Sequence, residues 1–169
     1  MGTSWERFED EPRAGSSILV GIDGRQGSAR VLEAAARLAL ALDLPVVVAL
    51  VQKFCSEVMP AGAEAHRELQ EEIEESVFLT AAITLDTMGV RWQFGMARGE
   101  PARGLCELAD ACDAAIVVIG TRGDGARSKL HRLFNGSVSG RLVHGQHRPV
   151  LVVPPEPARK RRARLPSEP

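Results

Sequence analysis

The stretch Ile116 to Ser139 reads IVVIGTRGDGARSKLHRLFNGSVS, and the order of its residue types decides the fold. Ile116-Val117-Val118-Ile119 is a continuous β-branched run, the pattern of a strand covered on both faces. The run breaks at Gly120, crosses a span rich in Gly and Arg, and lands on Gly136-Ser137-Val138-Ser139. A strand, a glycine loop and a Ser-bearing helix start make a place to hold phosphates. Glycine lets the backbone come close to a ligand, and free N–H groups at a helix start favour an anion.

The residues on either side are those of a sheet built around this loop. Ser17 to Ile22, SILVGI, is a short buried strand that ends at Asp23-Gly24. Val31, Leu32, Ala35, Leu38, Ala39 and Leu42 then recur at helical spacing, with Ser28 as the expected N-cap and Asp43-Leu44-Pro45 as the stop. Val46 to Val51, VVVALV, is a second buried strand. Strand, helix and strand in so few residues imply a parallel pair with a right-handed crossover.

Gln52 to Ala63 reads as loop. Glu64 to Met88 reads as a long amphipathic surface helix with Leu69, Ile73, Val77, Ala81, Leu85 and Met88 on its buried stripe. Val90 to Met96 alternates, as a half-buried edge strand does. Gly99-Glu100-Pro101 opens the next helix, whose buried stripe is Leu105, Leu108, Ala109 and Cys112. After the opening stretch come a helix from about Ser137 to His144 and a last strand, Pro149 to Val153.

Five strands alternating with four helices predict an α/β fold, a three-layer, doubly wound, Rossmann-like domain. Its five-stranded parallel sheet would have the order 3-2-1-4-5, counted from the amino terminus. Ligands of such sheets sit outside the carboxyl ends of the strands, where the strand order reverses. In that order the reversal lies between the first and fourth strands, which end at Asp23 and Gly120. Two features noticed separately therefore converge on one crevice.

With 169 residues, 44% apolar and 25% charged, the chain is expected to form one soluble domain over 17–154. Residues 1–16 and 155–169 are expected to be disordered, the second segment as a basic tail carrying Arg159, Lys160, Arg161, Arg162 and Arg164. A net charge of −1 provides no global field to recruit nucleic acid or a membrane surface. Cys55, Cys106 and Cys112 are odd in number and have no C-x-x-C spacing, which fits a reducing cytoplasm rather than a disulfide framework. No signal-peptide pattern opens the chain, and no nucleophile–base pair or metal-ligand spacing stands out.

The loop fails the standard phosphate templates. GTRGDGAR has Ala and Arg where a Walker loop needs Lys and Ser or Thr. Gly123-Asp124-Gly125 lacks the third glycine of the dinucleotide fingerprint, and Ser139 stands one place off a hydrolase elbow. Gly120-Thr121-Arg122-Gly123 followed by Gly136-Ser137 instead resembles the G-x2-G-x9-G-[ST] motif of the universal stress protein family. The resemblance extends through SSILVGIDGRQGSARVLEAAARLA, RGEPARGLCELADACDAAIVVIGTRG and GSVSGRLVHGQHRPVLVVP, and so covers Ser17 to Pro154. The chain departs from the motif in one respect. The span Asp124 to Asn135 is three residues longer than the motif's nine and carries Arg127, Lys129, His131 and Arg132.

The resemblance, to the ATP-binding-motif subgroup, implies an ATP-binding sensor or regulator of the stress response, with ATP, alone or with Mg²⁺, as cofactor. It implies that Asp23 bonds the nucleotide near its ribose and adenine and that Val51 packs on adenine. Gly120, Arg122 and Gly123 would admit the phosphates, and Gly136, Ser137 and Val138 would bind them. It further implies a homodimer through Val150 to Val153, with a regulatory protein as a further partner. Two other readings stay open: a dimeric interaction module that no longer binds ATP, which the longer loop favours, and a slow ATPase or phosphotransferase.

Overall fold

A computed structural model describes residues 4–6, 17–25, 27–52, 63–121, 142 and 147–155. The elements in order are β1 (Ser4–Glu6), β2 (Ser17–Ile22), α1 (Ser28–Leu42), β3 (Val46–Gln52), α2 (Ala63–Thr87), β4 (Trp92–Arg98), α3 (Pro101–Ala111), β5 (Ala114–Gly120) and β6 (Val150–Val153). They form one sheet in the order β1-β4-β3-β2-β5-β6. The five strands β2 to β6 are parallel to one another, in the predicted order 3-2-1-4-5.

The two-residue period of a strand sorts the core into two layers. Ile18, Val20 and Ile22 of β2 and Val46, Val48 and Leu50 of β3 face α1 and α2, where they meet Val31, Leu32, Val77, Ala81 and Leu85. Leu19, Val47, Ala49, Val117 and Ile119 face the other way, onto Leu105, Leu108 and Ala109 of α3 and onto Leu142. Both faces are covered, which is why the parallel strands read as unbroken apolar runs.

Local sequence sets the helix ends. Asp43 closes α1 in the left-handed region (φ 53°) and sends its N–H back to the Ala39 carbonyl. Glu100 caps α3 by accepting the Arg103 N–H at 3.0 Å, with Pro101 in the first turn, where its missing N–H costs nothing. Ser28 is not the N-cap that its position suggests. It lies inside α1, where its hydroxyl donates to the Arg25 carbonyl at 2.8 Å, and Gly27 (φ 103°) is the cap.

Three other expectations are corrected. Part of the segment expected to be disordered, Ser4–Glu6, forms a strand antiparallel to β4, with Trp5 opposite Gly95. β4 is the last parallel strand on its side, and the stretch Phe94 to Met96 finds its outward partners there. β4 is also not half-buried. Gln93 is only 6% exposed and Ala97 belongs to the α3 layer, so both of its faces are covered. On α2 the predicted stripe divides. Val77, Ala81 and Leu85 are buried, whereas Leu69 is 53% and Ile73 37% exposed. The cause is length. A helix of 25 residues spans about 37 Å, whereas a seven-residue strand spans about 23 Å, so the first turns of α2 run past the carboxyl edge of the sheet.

Arg148 fastens the opposite edge. Its side chain is 11% exposed, Nε donates to the Ala114 carbonyl at 2.7 Å, and the guanidinium pairs with Asp110 and Asp113. Burial works against its charge, but the bonds and charges of the two carboxylates outweigh burial and raise its pKa above the ordinary value. No helix among the described residues is long and apolar enough to cross a membrane.

Candidate functional site

Strand register brings three of the predicted residues to one edge. Ile22 pairs with Leu50, so Asp23 and Val51 are the next residues along two adjacent strands. Gly21 pairs with Ile119, which sets Gly120 beside Ile22 at the end of β5. Asp23, Val51 and Gly120 thus lie at or within one residue of the carboxyl ends of three neighbouring strands. Between β2 and β5 the strand order reverses, and a doubly wound sheet opens a crevice there.

Each of the three is held by its surroundings. Asp23 Oδ1 accepts the Arg25 N–H at 3.2 Å, a turn that Gly24 completes at φ 72°. The Arg25 guanidinium lies 3.7 Å from Oδ2, and the Asp23 side chain keeps 52% exposure, so its carboxylate remains open to a further donor. Gly120 pairs with Val153, and the next residue, Thr121, donates its N–H to the Val153 carbonyl at 3.1 Å. A β-carbon on Gly120 would stand 2.9 Å from Val31 Cγ2, so this glycine also admits the start of α1. Val51 is half-buried against the α3 layer. Arg122, Gly123, Gly136, Ser137 and Val138, and the longer span 124–135, lie outside the described residues.

Two residues beside the site escaped the sequence reading. Gln52 is the last residue of β3 rather than the start of a loop, and is 9% exposed. Its Nε2 donates to the Gln70 carbonyl of α2 at 3.3 Å, and its own carbonyl accepts the Gly99 N–H at 2.8 Å. It thereby ties β3 to α2 and to the turn before α3. Gly104 lies inside α3, against Val51. A glycine in a helix interior was a usable signal, since it costs stability relative to Ala unless packing requires it. A polar residue after an apolar run gives no such signal, so Gln52 was not legible.

Neither described thiol is poised as a nucleophile. Cys112 is buried, and burial pushes its pKa up. Cys106 is raised too, by burial first and then by the charges of Asp110 and Glu100. Among the described residues at the crevice, half-buried Val51 suits an apolar face and the exposed Asp23 carboxylate a hydrogen-bond donor.

Comparison with known proteins agrees with this architecture. The family model for the universal stress protein family matches residues 16–154. A universal stress protein of Methanocaldococcus jannaschii is 29% identical over 139 residues, 80% of each chain. One of Mycolicibacterium smegmatis is 33% identical over 156 residues, or 88% of this chain and about half (51%) of the relative. The crystal structure of a universal stress protein in complex with cAMP superposes with a TM-score of 0.63 at 25% identity, covering 83% of this chain and 98% of that one. A match across the whole sheet, from its first parallel strand to its last, places this chain in the universal stress protein family.

Proposed function

We propose that this protein binds ATP in the crevice between β2 and β5 and acts as a nucleotide-dependent regulator of a stress response. The observation that carries the reading is the meeting of Asp23, Val51 and Gly120 at three adjacent strand ends. This half of the site fits the nucleoside end of the ligand. The exposed Asp23 carboxylate accepts from ribose hydroxyls, and the half-buried Val51 offers an apolar face to adenine. The family member in complex with cAMP supports an adenine nucleotide as the ligand class. By resemblance, Gly120, Arg122, Gly123, Gly136, Ser137 and Val138 hold the phosphates, with Mg²⁺ as the accompanying ion. The free Cys106 and Cys112 speak for a cytoplasmic setting.

Melting curves with and without ATP test the reading. At a concentration a hundred times Kd, ATP stabilises by about 2.7 kcal/mol, which raises Tm by roughly 5–10 °C. Asp23→Ala should melt within a few degrees of the unsubstituted protein in buffer, because the side chain is half-exposed, and should lose most of the ATP-dependent rise. No shift at millimolar ATP would sink ATP binding and leave the interaction module.

The same reading makes the protein a homodimer through β6. Leu151 and Val152 on this edge strand are 42% and 37% exposed. An apolar strand edge left open invites pairing with another chain. Sedimentation at micromolar concentration should report two copies, and Leu151→Arg should shift the protein toward one. A single copy in both would remove β6 as the contact.

A further inference from the structure

Gly104 occupies the interior of α3, where glycine costs about 1 kcal/mol relative to alanine. The packing around it explains why a side chain is withheld. A β-carbon at this position would stand 2.7 Å from Val51 Cγ1, 3.1 Å from Val51 Cγ2 and 3.3 Å from Ala97 Cβ. Both Val51 methyls therefore face α3, and the Val51 β-hydrogen points away from it. Ala97 is 3% exposed and has no side-chain torsion to turn.

We infer that Gly104 is a positioning residue for the nucleobase: by lacking a side chain it seats both Val51 methyls against α3 and so sets the width of the slot beside Asp23. The inference rests on the assignment of Val51 to the base, made above. A methyl at position 104 removes that seat. Val51 is β-branched and stiff, so relief comes by turning one methyl to the side that its β-hydrogen now occupies. α3 covers the other side and Val51 is only half-buried, so on this reading the β-hydrogen side is the one that meets the base. The slot then narrows for a flat ring, while the strand end at Gly120 is untouched. Gly104 thus favours ligands with a planar base over ligands that offer phosphate alone.

Titration calorimetry of the full chain with ATP and with inorganic tripolyphosphate tests this. Gly104→Ala is expected to weaken ATP about tenfold, a loss of about 1.4 kcal/mol. Tripolyphosphate affinity should stay within about twofold, whereas a lesion spread through the fold would weaken both ligands alike. The double variant Gly104→Ala/Val51→Ala should bind ATP as Val51→Ala alone does, because without the Val51 methyls the added methyl at 104 keeps only its contact with Ala97 Cβ, which lies 3.3 Å away and does not bear on the base. Val51→Ile crowds the same contact from the other side and should reproduce the selective loss, which covers the case in which Gly104→Ala folds poorly. Unchanged ATP affinity in Gly104→Ala and Val51→Ile, or strictly additive losses in the double variant, would overturn the role of Gly104. An unsubstituted protein that binds tripolyphosphate but not ATP, or neither, would overturn the base assignment itself and the inference with it.

Discussion

Phe94→Ala should lower the stability of the protein by about 4 kcal/mol, the cost of a large ring removed from a closed core. Phe94 is 1% exposed in the middle of β4, in the layer shared with α1 and α2. Its ring meets Phe78 of α2 edge-on, with centroids 5.6 Å apart and planes at 85°. Phe78 in turn lies 5.4 Å from the Trp92 ring. The three rings fasten α2 to β4, and the variant opens a cavity beneath the helix. Tm should fall by roughly 8–16 °C. Trp92, whose Nε1 donates to Asp86 at 2.7 Å, reports the change by fluorescence. A loss below about 1 kcal/mol would mean that α2 does not depend on this contact. Phe94→Leu keeps most of the volume and should cost well under half as much.

Arg148→Met should cost about 2 kcal/mol, read as a lower urea midpoint at unchanged slope. The loss comes chiefly from the Ala114 carbonyl, which gives up its 2.7 Å donor at a part-buried position. Asp110 and Asp113 contribute less than their geometry suggests, because their side chains are 69% and 49% exposed and water screens them. Arg148→Lys should recover only part of the loss. One ammonium is a compact point donor and cannot span the carbonyl and two carboxylates as the planar guanidinium does. Full recovery by lysine would show that charge alone matters here. The contact joins the start of β6 to the end of α3, so the variant also tests how firmly the last strand is held.

The parallel sheet was legible because burial on both faces leaves a simple mark. SILVGI, VVVALV and AIVVI are apolar runs without alternation, and no half-exposed strand reads that way. The order 3-2-1-4-5 is written in no residue: it is the arrangement assumed for a doubly wound sheet, and the strand pairing bears it out. The convergence of Asp23 and Gly120 followed from that order, and register adds Val51 beside them. Less legible were features set by tertiary length and fit. Leu69 and Ile73 carry the same periodicity as Val77, and nothing local says that the helix outruns the sheet beneath it. Gln93 reads as an outward residue until both faces of β4 are seen to be covered. Ser4–Glu6 is too short for any period to register, and its strand exists only because β4 offers a partner. Ser28 has the chemistry of a cap, but the left-handed turn at Gly27 moved the cap one residue earlier.

That short antiparallel strand has a consequence for how copies of the chain can add together. A parallel sheet exposes hydrogen-bonding groups along both outer strands, and two open edges would let molecules join end to end without limit. Here β1 lies along one edge, running against β4, while among the described residues β6 has no strand beyond it. Copies that meet β6 to β6 across a twofold axis use up the open edge of each, and the joined sheet then ends in a β1 at both extremes. Assembly by this route halts at two. β1 is itself an edge, but at three residues it offers far less to pair with than β4 does, and a protein lacking its first six residues would expose the seven-residue β4 in its place, a longer edge from which to propagate.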